Sequence, residues 1–277
     1  MTPVAVDFDW SFAWKEEQAI RRPADDSQYW DMRAPSFAKT AGSSPYADEF
    51  VKLAQIAPGE TVFDMGCGSG ALALPLARAG HHVYACDFSR AMIDLLMQRA
   101  GGEHLDDLIH PEILSWDEDW SRLEVPVCDV AIASRSLATT DMESALRKLD
   151  SMARRRVCVT LTTGLSPRAD EVLLRVMGRE VPAYPDCVFA FNILWSMGIQ
   201  AQVSYIRSER KSDFESFEEA IDKTCDILDA APEERTRLIE YSAEHLREIQ
   251  RSDGTSVWEY DHTRITSWAF ISWDKDC

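Results

Sequence analysis

From residue 61 onward, short apolar runs alternate with stretches in which apolar residues recur every three or four positions. The runs at 61–65, 82–86, 129–133 and 157–162 have the length and composition of strands, and 109–114 is a weaker one broken by Pro111. Between them, 71–79, the stripe Met92, Leu95, Leu96 and Arg99, and 144–152 predict helices. Strands alternating with helices predict βαβ units, a parallel sheet and right-handed crossovers. Residues 201–206 and 265–273 predict two further strands.

The flanks read differently. Residues 1–58 are polar and aromatic-rich, with turns marked by Arg22-Pro23 and Ala57-Pro58-Gly59 and helices predicted near 11–20 and 45–56. Residues 164–198 exceed what one crossover needs, and predict helices over about 167–178 and 186–197, split by Pro182 and Pro185. Residues 209–251 carry two helical stripes, Phe214, Phe217, Ile221, Cys225 and Leu228, then Leu238, Ser242, Leu246 and Ile249, ended by Asp253-Gly254. The predicted organisation is a helical lid over 1–58, an α/β core over 59–208, a helical cap insertion over 209–255, and a last core strand over 256–277.

Charge narrows the partners. The formal net charge is −18, with 47 acidic against 29 basic residues. Nucleic-acid affinity rests on Lys and Arg neutralising phosphates, so nucleic acids and anionic membranes are disfavoured. The Arg154-Arg155-Arg156 run is read as the solvated start of a strand. Seven cysteines at irregular spacing, with no C-x-x-C pair, make a poor disulfide framework and fit a reducing, cytoplasmic setting. No basic start followed by an apolar core opens the chain, and no run reaches the roughly 18 apolar residues of a membrane span. No His/Cys/Asp cluster has metal-ligand spacing, so no metal is expected.

The chemistry concentrates in Val62-Phe63-Asp64-Met65-Gly66-Cys67-Gly68-Ser69-Gly70, between a predicted strand and a predicted helix. Glycines let backbone take positive φ and approach a ligand closely. Asp87 ends the next strand, where a carboxylate can accept from both ribose hydroxyls. A Gly-rich turn with an acid about 20 residues on is a nucleoside-binding arrangement of doubly wound sheets. Gly66-x-Gly68-x-x-Ala71 also meets a loose dinucleotide fingerprint, which keeps an NAD-dependent oxidoreductase open. Asp64, two residues before the first glycine, repels a pyrophosphate but suits the cationic amino group of S-adenosylmethionine (SAM).

Residues 61–160 resemble a class I SAM-dependent methyltransferase, in particular the broad group that includes the ubiquinone and menaquinone C-methyltransferases. The first motif at 62–70, the second at 83–89 and the fourth-strand motif Cys128-Asp129-Val130-Ala131-Ile132-Ala133 carry the likeness. The resemblance implies a Rossmann-like seven-stranded sheet, mostly parallel with an antiparallel last strand, and S-adenosylhomocysteine (SAH) as the product. It places Asp64, Gly66, Cys67, Gly68 and Gly70 along the methionine and ribose portions, Asp87 on the ribose, Phe88 against the adenine, and Trp116 or Asp117 at the adenine border. Here Ser115-Trp116-Asp117 replaces a more usual Asp-Ala pair. Ser134 and Arg135, after the fourth strand, fall at the sheet edge beside the transferable methyl, and Arg135 can pair with a cofactor carboxylate or an anionic substrate. In similar enzymes a helix before the first strand folds over the cofactor, a role open to Tyr29, Trp30 and Arg33.

Methyl transfer from a sulfonium is an in-line displacement whose main demands are alignment and exclusion of water. A base is needed only for a hydroxyl or an acidic carbon, and His245 and His262 are the candidates; Arg135, as a charged partner at the methyl, is the other catalytic candidate. Trp14, Asn192 and Trp195 are candidate contacts for an apolar or planar small-molecule acceptor. A SAM-binding accessory protein without catalysis and a protein methyltransferase are the competing readings; monomer or homodimer is left open.

Overall fold

In a computed structural model, the described residues are 8–21, 26–38, 44–137, 139–164, 170–181, 185–210, 213–251 and 253–275. The chain divides into two compact units. The first takes Met1–Leu161, Asp186–Ile206 and Ala269–Cys277; the second takes Thr162–Pro185 and Arg207–Trp268. The strands in chain order are β1 (Val62–Met65), β2 (Val83–Asp87), β3 (Ile109–Ile113), β4 (Cys128–Ser134), β5 (Ala153–Thr162), β6 (Gln202–Arg210), β7 (Asp213–Phe214), β8 (Leu246–Gln250), β9 (Ser256–Tyr260) and β10 (Arg264–Asp274).

A seven-stranded sheet runs β3-β2-β1-β4-β5-β10-β6, six strands parallel and the last antiparallel. Its inner strands are apolar because a parallel sheet is covered on both faces. All four residues of β1 are buried, and Val130, Ala131, Ile132, Val157, Cys158 and Val159 are closed to solvent. Strand order runs outward in opposite directions from β1 and β4, and such a reversal is where ligands bind, beyond the carboxyl ends of the strands.

The helices of this unit follow local signals. Helix α4 (Ala73–Arg78) follows β1, and α5 (Arg90–Gly102) starts where Ser89 Oγ accepts the Met92 N–H. Helix α6 (Met142–Ser151) starts where Asp141 caps Ser144, and buries Met142, Ala145, Leu146 and Leu149. Each such buried leucine contributes about 1.5–3 kcal/mol relative to exposure. Before the sheet come α1 (Trp10–Ile20), α2 (Ser27–Ala38) and α3 (Pro45–Ala54), and α8 (Asp186–Ser196) belongs to the same unit. The expected turn at Arg22-Pro23 lies outside the described residues.

The arginine run meets expectation at Arg154, which is exposed at the start of β5, and departs from it over the next two residues. Arg155 pairs with Glu60. Arg156 is buried, its Nη1 donating to Asp274 (2.8 Å) and its Nη2 to Ser272 Oγ (3.0 Å). It is a structural ion pair, not a solvated strand start.

In the second unit, α7 (Glu171–Met177), α9 (Phe217–Leu228) and α10 (Pro232–His245) pack Leu173, Met177, Ala220, Ile221 and Leu238 together with Leu246 and Tyr260. Beside them lies a three-stranded sheet in the order β7-β9-β8. The stripe expected to continue a helix through Leu246 and Ile249 does not. The helix ends at His245, Leu246 turns extended (φ −95, ψ 130), and 246–250 pair antiparallel with β9, Leu246 opposite Tyr260. Residues 256–277 likewise hold two strands, β9 and β10, instead of one.

Candidate functional site

The site is built on the turn after β1. Gly66, Gly68 and Gly70 all have positive φ (+73, +53 and +91), a region that costs other residues about 1–2 kcal/mol. Their surroundings separate their roles. A Cβ at Gly66 falls 2.2 Å from Ser136 Cβ, and one at Gly70 falls 2.4 Å from Leu96 Cδ1, so both are glycines of packing. A Cβ at Gly68 meets nothing within 4 Å. Gly68 therefore presents bare backbone to open space. The turn is held by the Gly66 and Cys67 N–H groups, both donating to Cys86 O (2.7 and 3.0 Å), and by Arg99 Nη1 donating to Ser69 O and Oγ (2.9 and 3.0 Å). Burial pushes the Cys67 thiol far up, so it stays neutral.

Two carboxylates flank this turn. Asp87, at the end of β2, accepts from Gly68 N–H on Oδ2 (2.8 Å) and from Ser89 N–H on Oδ1 (2.9 Å). Burial raises its pKa, and the backbone donors partly offset that. Asp64, on β1, is only 2% exposed, and its Oδ2 has no hydrogen-bond partner. Burial first, and the Asp87 charge second, push it up to about 7. An orphaned buried carboxylate oxygen costs several kcal/mol unless a donor arrives, so Asp64 is poised for a cation.

Ser134, Arg135 and Ser136 lie at the end of β4. Ser136 Oγ donates to Met65 O (2.7 Å), tying this turn to the end of β1. Arg135 is exposed, with a left-handed φ of +58, and its backbone N–H donates to Thr160 Oγ1 (3.0 Å). Its guanidinium lies 4.2 Å from the centroid of the Tyr46 ring, on α3. Tyr46 is buried, and its hydroxyl is hydrogen-bonded to Ser134 Oγ (2.8 Å) and Thr160 Oγ1 (2.7 Å). Burial raises the Tyr46 pKa, with Arg135 acting against it, so the hydroxyl stays protonated. Sequence reading placed Tyr46 only in a helical stripe; its partners are 88 and 114 positions away.

Beyond β3, Trp116 is buried; its Nε1 donates to Ser136 O (2.8 Å) and its ring stacks on Trp120 at 5.4 Å. Asp117 is exposed beside it, and Phe88 lies between Asp87 and Ser89 in the β2–α5 turn. On α2, Tyr29 and Trp30 pack edge to face at 5.6 Å, and Arg33 lies over the Tyr29 ring and donates to its hydroxyl (3.0 Å). The residue that fastens α2 to the site was missed. Asp31 Oδ1 accepts from Ser89 Oγ (2.6 Å) and Ala91 N–H (3.2 Å) at the start of α5.

The expected acceptor contacts are scattered. Trp14 is in the core, 2% exposed, with Nε1 donating to Thr139 O (3.0 Å), which gives it a packing role. Asn192 donates to Val188 O within α8 (2.7 Å), and Trp195 is half exposed on the same helix. His245 and His262 belong to the second unit. There His262 Nε2 meets Asp170 Oδ2 (2.9 Å), and His245 Nδ1 meets Asp261 Oδ2 (2.9 Å) while its ring stacks on Tyr241. Among the described residues, no group of three or more His, Cys, Asp or Glu side chains is arranged to hold a metal ion, and no helix is long and apolar enough to cross a membrane.

Comparison with known proteins places this geometry. Residues 62–155 match the methyltransferase domain family. An uncharacterised protein of Haemophilus influenzae is 31% identical over 253 residues, 89% of each chain. A ubiquinone biosynthesis O-methyltransferase of Paraburkholderia phytofirmans is 25% identical, over 72% of this chain and 80% of its own. Among solved structures, the YcgJ protein of Bacillus subtilis shares the fold with a TM-score of 0.53 at 12% identity, covering 84% of this chain and 98% of its own. So does the [4+2]-cyclase SpnF, with a TM-score of 0.52 at 12% identity, covering 91% and 97%. The matched segment contains the glycine turn, Asp87 and the turn after β4, and the relatives aligned over 72% of the chain are ubiquinone biosynthesis O-methyltransferases by name; the chain belongs to the class I SAM-dependent methyltransferases.

Proposed function

We propose that the enzyme binds SAM across the ends of β2, β1 and β4 and transfers its methyl group to a small-molecule acceptor in the cytoplasm. The observation that carries this is the buried, partnerless Oδ2 of Asp64 beside a turn whose middle glycine, Gly68, faces open space. A cationic amino group satisfies the first, and close approach of a nucleoside uses the second. A dinucleotide's pyrophosphate would instead meet Asp64 as a like charge. The free cysteines Cys67, Cys86, Cys128 and Cys158, buried in the fold, fit a reducing compartment.

Bound SAM supplies a sulfonium methyl. The chain's own residues do the rest. Asp87, already fixed by two backbone N–H groups, has lone pairs left for ribose hydroxyls. Asp64 holds the ammonium. Arg135, held over Tyr46 at the end of β4, takes the cofactor carboxylate through its planar fork. Phe88, Trp116 and Asp117 border the adenine, and Tyr29, Trp30 and Arg33 on α2 shield the site from water. In-line transfer asks the protein for alignment and dryness, and no proton step is assigned to His245 or His262.

Calorimetric titration with SAM, SAH and NAD tests this, beside Asp87→Ala. Micromolar binding of both sulfur nucleosides, weakened in the variant and absent for NAD, supports the reading and justifies an acceptor screen. A folded chain that binds neither sulfur nucleoside, or binds NAD alone, sinks it.

A further inference from the structure

A continuous run of hydrogen bonds links the N-terminal helix α2 to the carboxylate assigned to the ribose. Asp31 Oδ1, on α2, accepts from Ser89 Oγ at 2.6 Å and from the Ala91 N–H at 3.2 Å. Ser89 Oγ in turn accepts from the Met92 N–H (3.2 Å), closing the first turn of α5. The Ser89 N–H donates to Asp87 Oδ1 (2.9 Å), and Asp87 Oδ2 receives the Gly68 N–H (2.8 Å). One serine thus faces two carboxylates, its hydroxyl toward Asp31 and its N–H toward Asp87. Ser89 is fully buried, so neither bond is exchanged cheaply for water.

We propose that Asp31 is a positioning residue for the cofactor: it locks Ser89, and through it the Asp87 carboxylate, in the ribose-binding arrangement, and makes docking of α2 and binding of the nucleoside mutually reinforcing. The proposal rests on the SAM reading above and goes beyond it. The carboxylate oxygen accepts at the positive end of α5, where an anion is favoured. Against this, its charge lies close enough to Asp87 to oppose ionisation of that group. The arrangement is therefore justified by the bonds it makes to the turn, and the charge works against it. By reciprocity, whatever affinity α2 docking adds to the nucleoside, the nucleoside adds to α2 docking.

The chemistry makes separable demands on variants. Asp31→Asn keeps an oxygen acceptor and removes the charge; Asp31→Ala removes both; Ser89→Ala removes the same 2.6 Å bond from the other side. SAH affinity by calorimetry and amide exchange of 27–38 by mass spectrometry, with and without SAH, read the two ends of the coupling. Asp31→Ala is expected to lose SAH affinity by about tenfold, near the low end of usual coupling strengths, and Asp31→Asn to stay close to wild type. SAH should slow exchange across α2 in the wild type and not in Asp31→Ala. If Asp31→Ala does not fold, Ser89→Ala decides by the same two readings. Wild-type SAH affinity in the folded Ala variant, equal losses in the Asn and Ala variants, or α2 exchange indifferent to SAH in the wild type each overturn the proposal. Failure of the wild-type chain to bind SAH at all is distinct, and removes the cofactor reading and this coupling together.

Discussion

Gly66 lies directly against Ser136: a Cβ on the glycine falls 2.2 Å from the serine Cβ and 2.6 Å from its Oγ. The turn after β1 and the turn after β4 are thus pressed together with no room for a methyl group. Gly66→Ala adds this clash to the cost of φ +73, about 1–2 kcal/mol on its own. The expected loss in chemical denaturation is more than about 2 kcal/mol. Gly68→Ala, at φ +53 in open space, should cost about 1 kcal/mol of stability yet weaken SAH at least tenfold, because its methyl occupies the ligand's side of the turn. If instead the two variants lose stability and affinity in equal proportion, the division of roles within the turn is wrong.

Asp64 predicts a pH dependence. An unfolded aspartate titrates near about 3.9. In the fold, burial pushes it up to about 7. Between those values the folded chain holds a proton that the unfolded chain has released, so ligand-free stability should fall as pH rises from about 4 to about 7 and level off above. Asp64→Asn should remove that slope and leave a ligand-free protein more stable at alkaline pH. The cationic end of SAM needs the ionised form, so SAM should bind about tenfold more tightly at about pH 8 than at about pH 6. Calorimetry across that range checks it, and a flat profile in the wild type contradicts the assignment.

Arg135 is assigned to a carboxylate that SAH carries and 5′-methylthioadenosine lacks. Arg135→Ala should therefore weaken SAH by about tenfold, the worth of one charge-assisted hydrogen bond, and leave methylthioadenosine unchanged. Equal losses for both nucleosides would mean that the left-handed turn itself has been disturbed. No loss for either would move the guanidinium to the acceptor.

Trp14 should behave as a core residue. Trp14→Ala is expected to cost about 3–5 kcal/mol in denaturation. Trp14→Phe keeps most of the ring and gives up the Nε1 bond to Thr139 O, for about 0.5–1.5 kcal/mol. A folded, stable Trp14→Ala with altered acceptor preference would restore the contact first expected of it.

What the sequence disclosed follows from how far each signal reaches. The glycine turn and Asp87 were legible because close backbone approach and a strand-end acid leave marks at a fixed spacing, about 20 residues apart along one βαβ unit. Buried parallel strands leave apolar runs, so β1, β2, β4 and β5 were also visible. Asp31 left no mark: its partner Ser89 is 58 positions away, and an aspartate beside two aromatics has no period to announce it. Tyr46 hid for the opposite reason, since its ring satisfies a helical stripe while its hydroxyl serves β4 and β5. The false helix through Leu246 and Ile249 arose because spacings of three and four also occur by chance where a helix passes into a strand. Only pairing with β9, ten or so residues on, decides such a segment.

The placement of β10 between β5 and β6 carries a consequence for how the second unit is held together. Antiparallel neighbours need only a two-residue hairpin to join them. Between the end of β6 and the start of β10 the described residues of this chain, 213–251 and 253–263, instead hold two helices and a three-stranded sheet. Both ends of that excursion are pinned by adjacent strands of the large sheet, so its length and content are free of the sheet's register. It does not close on itself, however: Leu173 and Met177 of α7, which follows β5, complete one core with Ile221, Leu238 and Leu246, so a change in either excursion has to keep that shared packing.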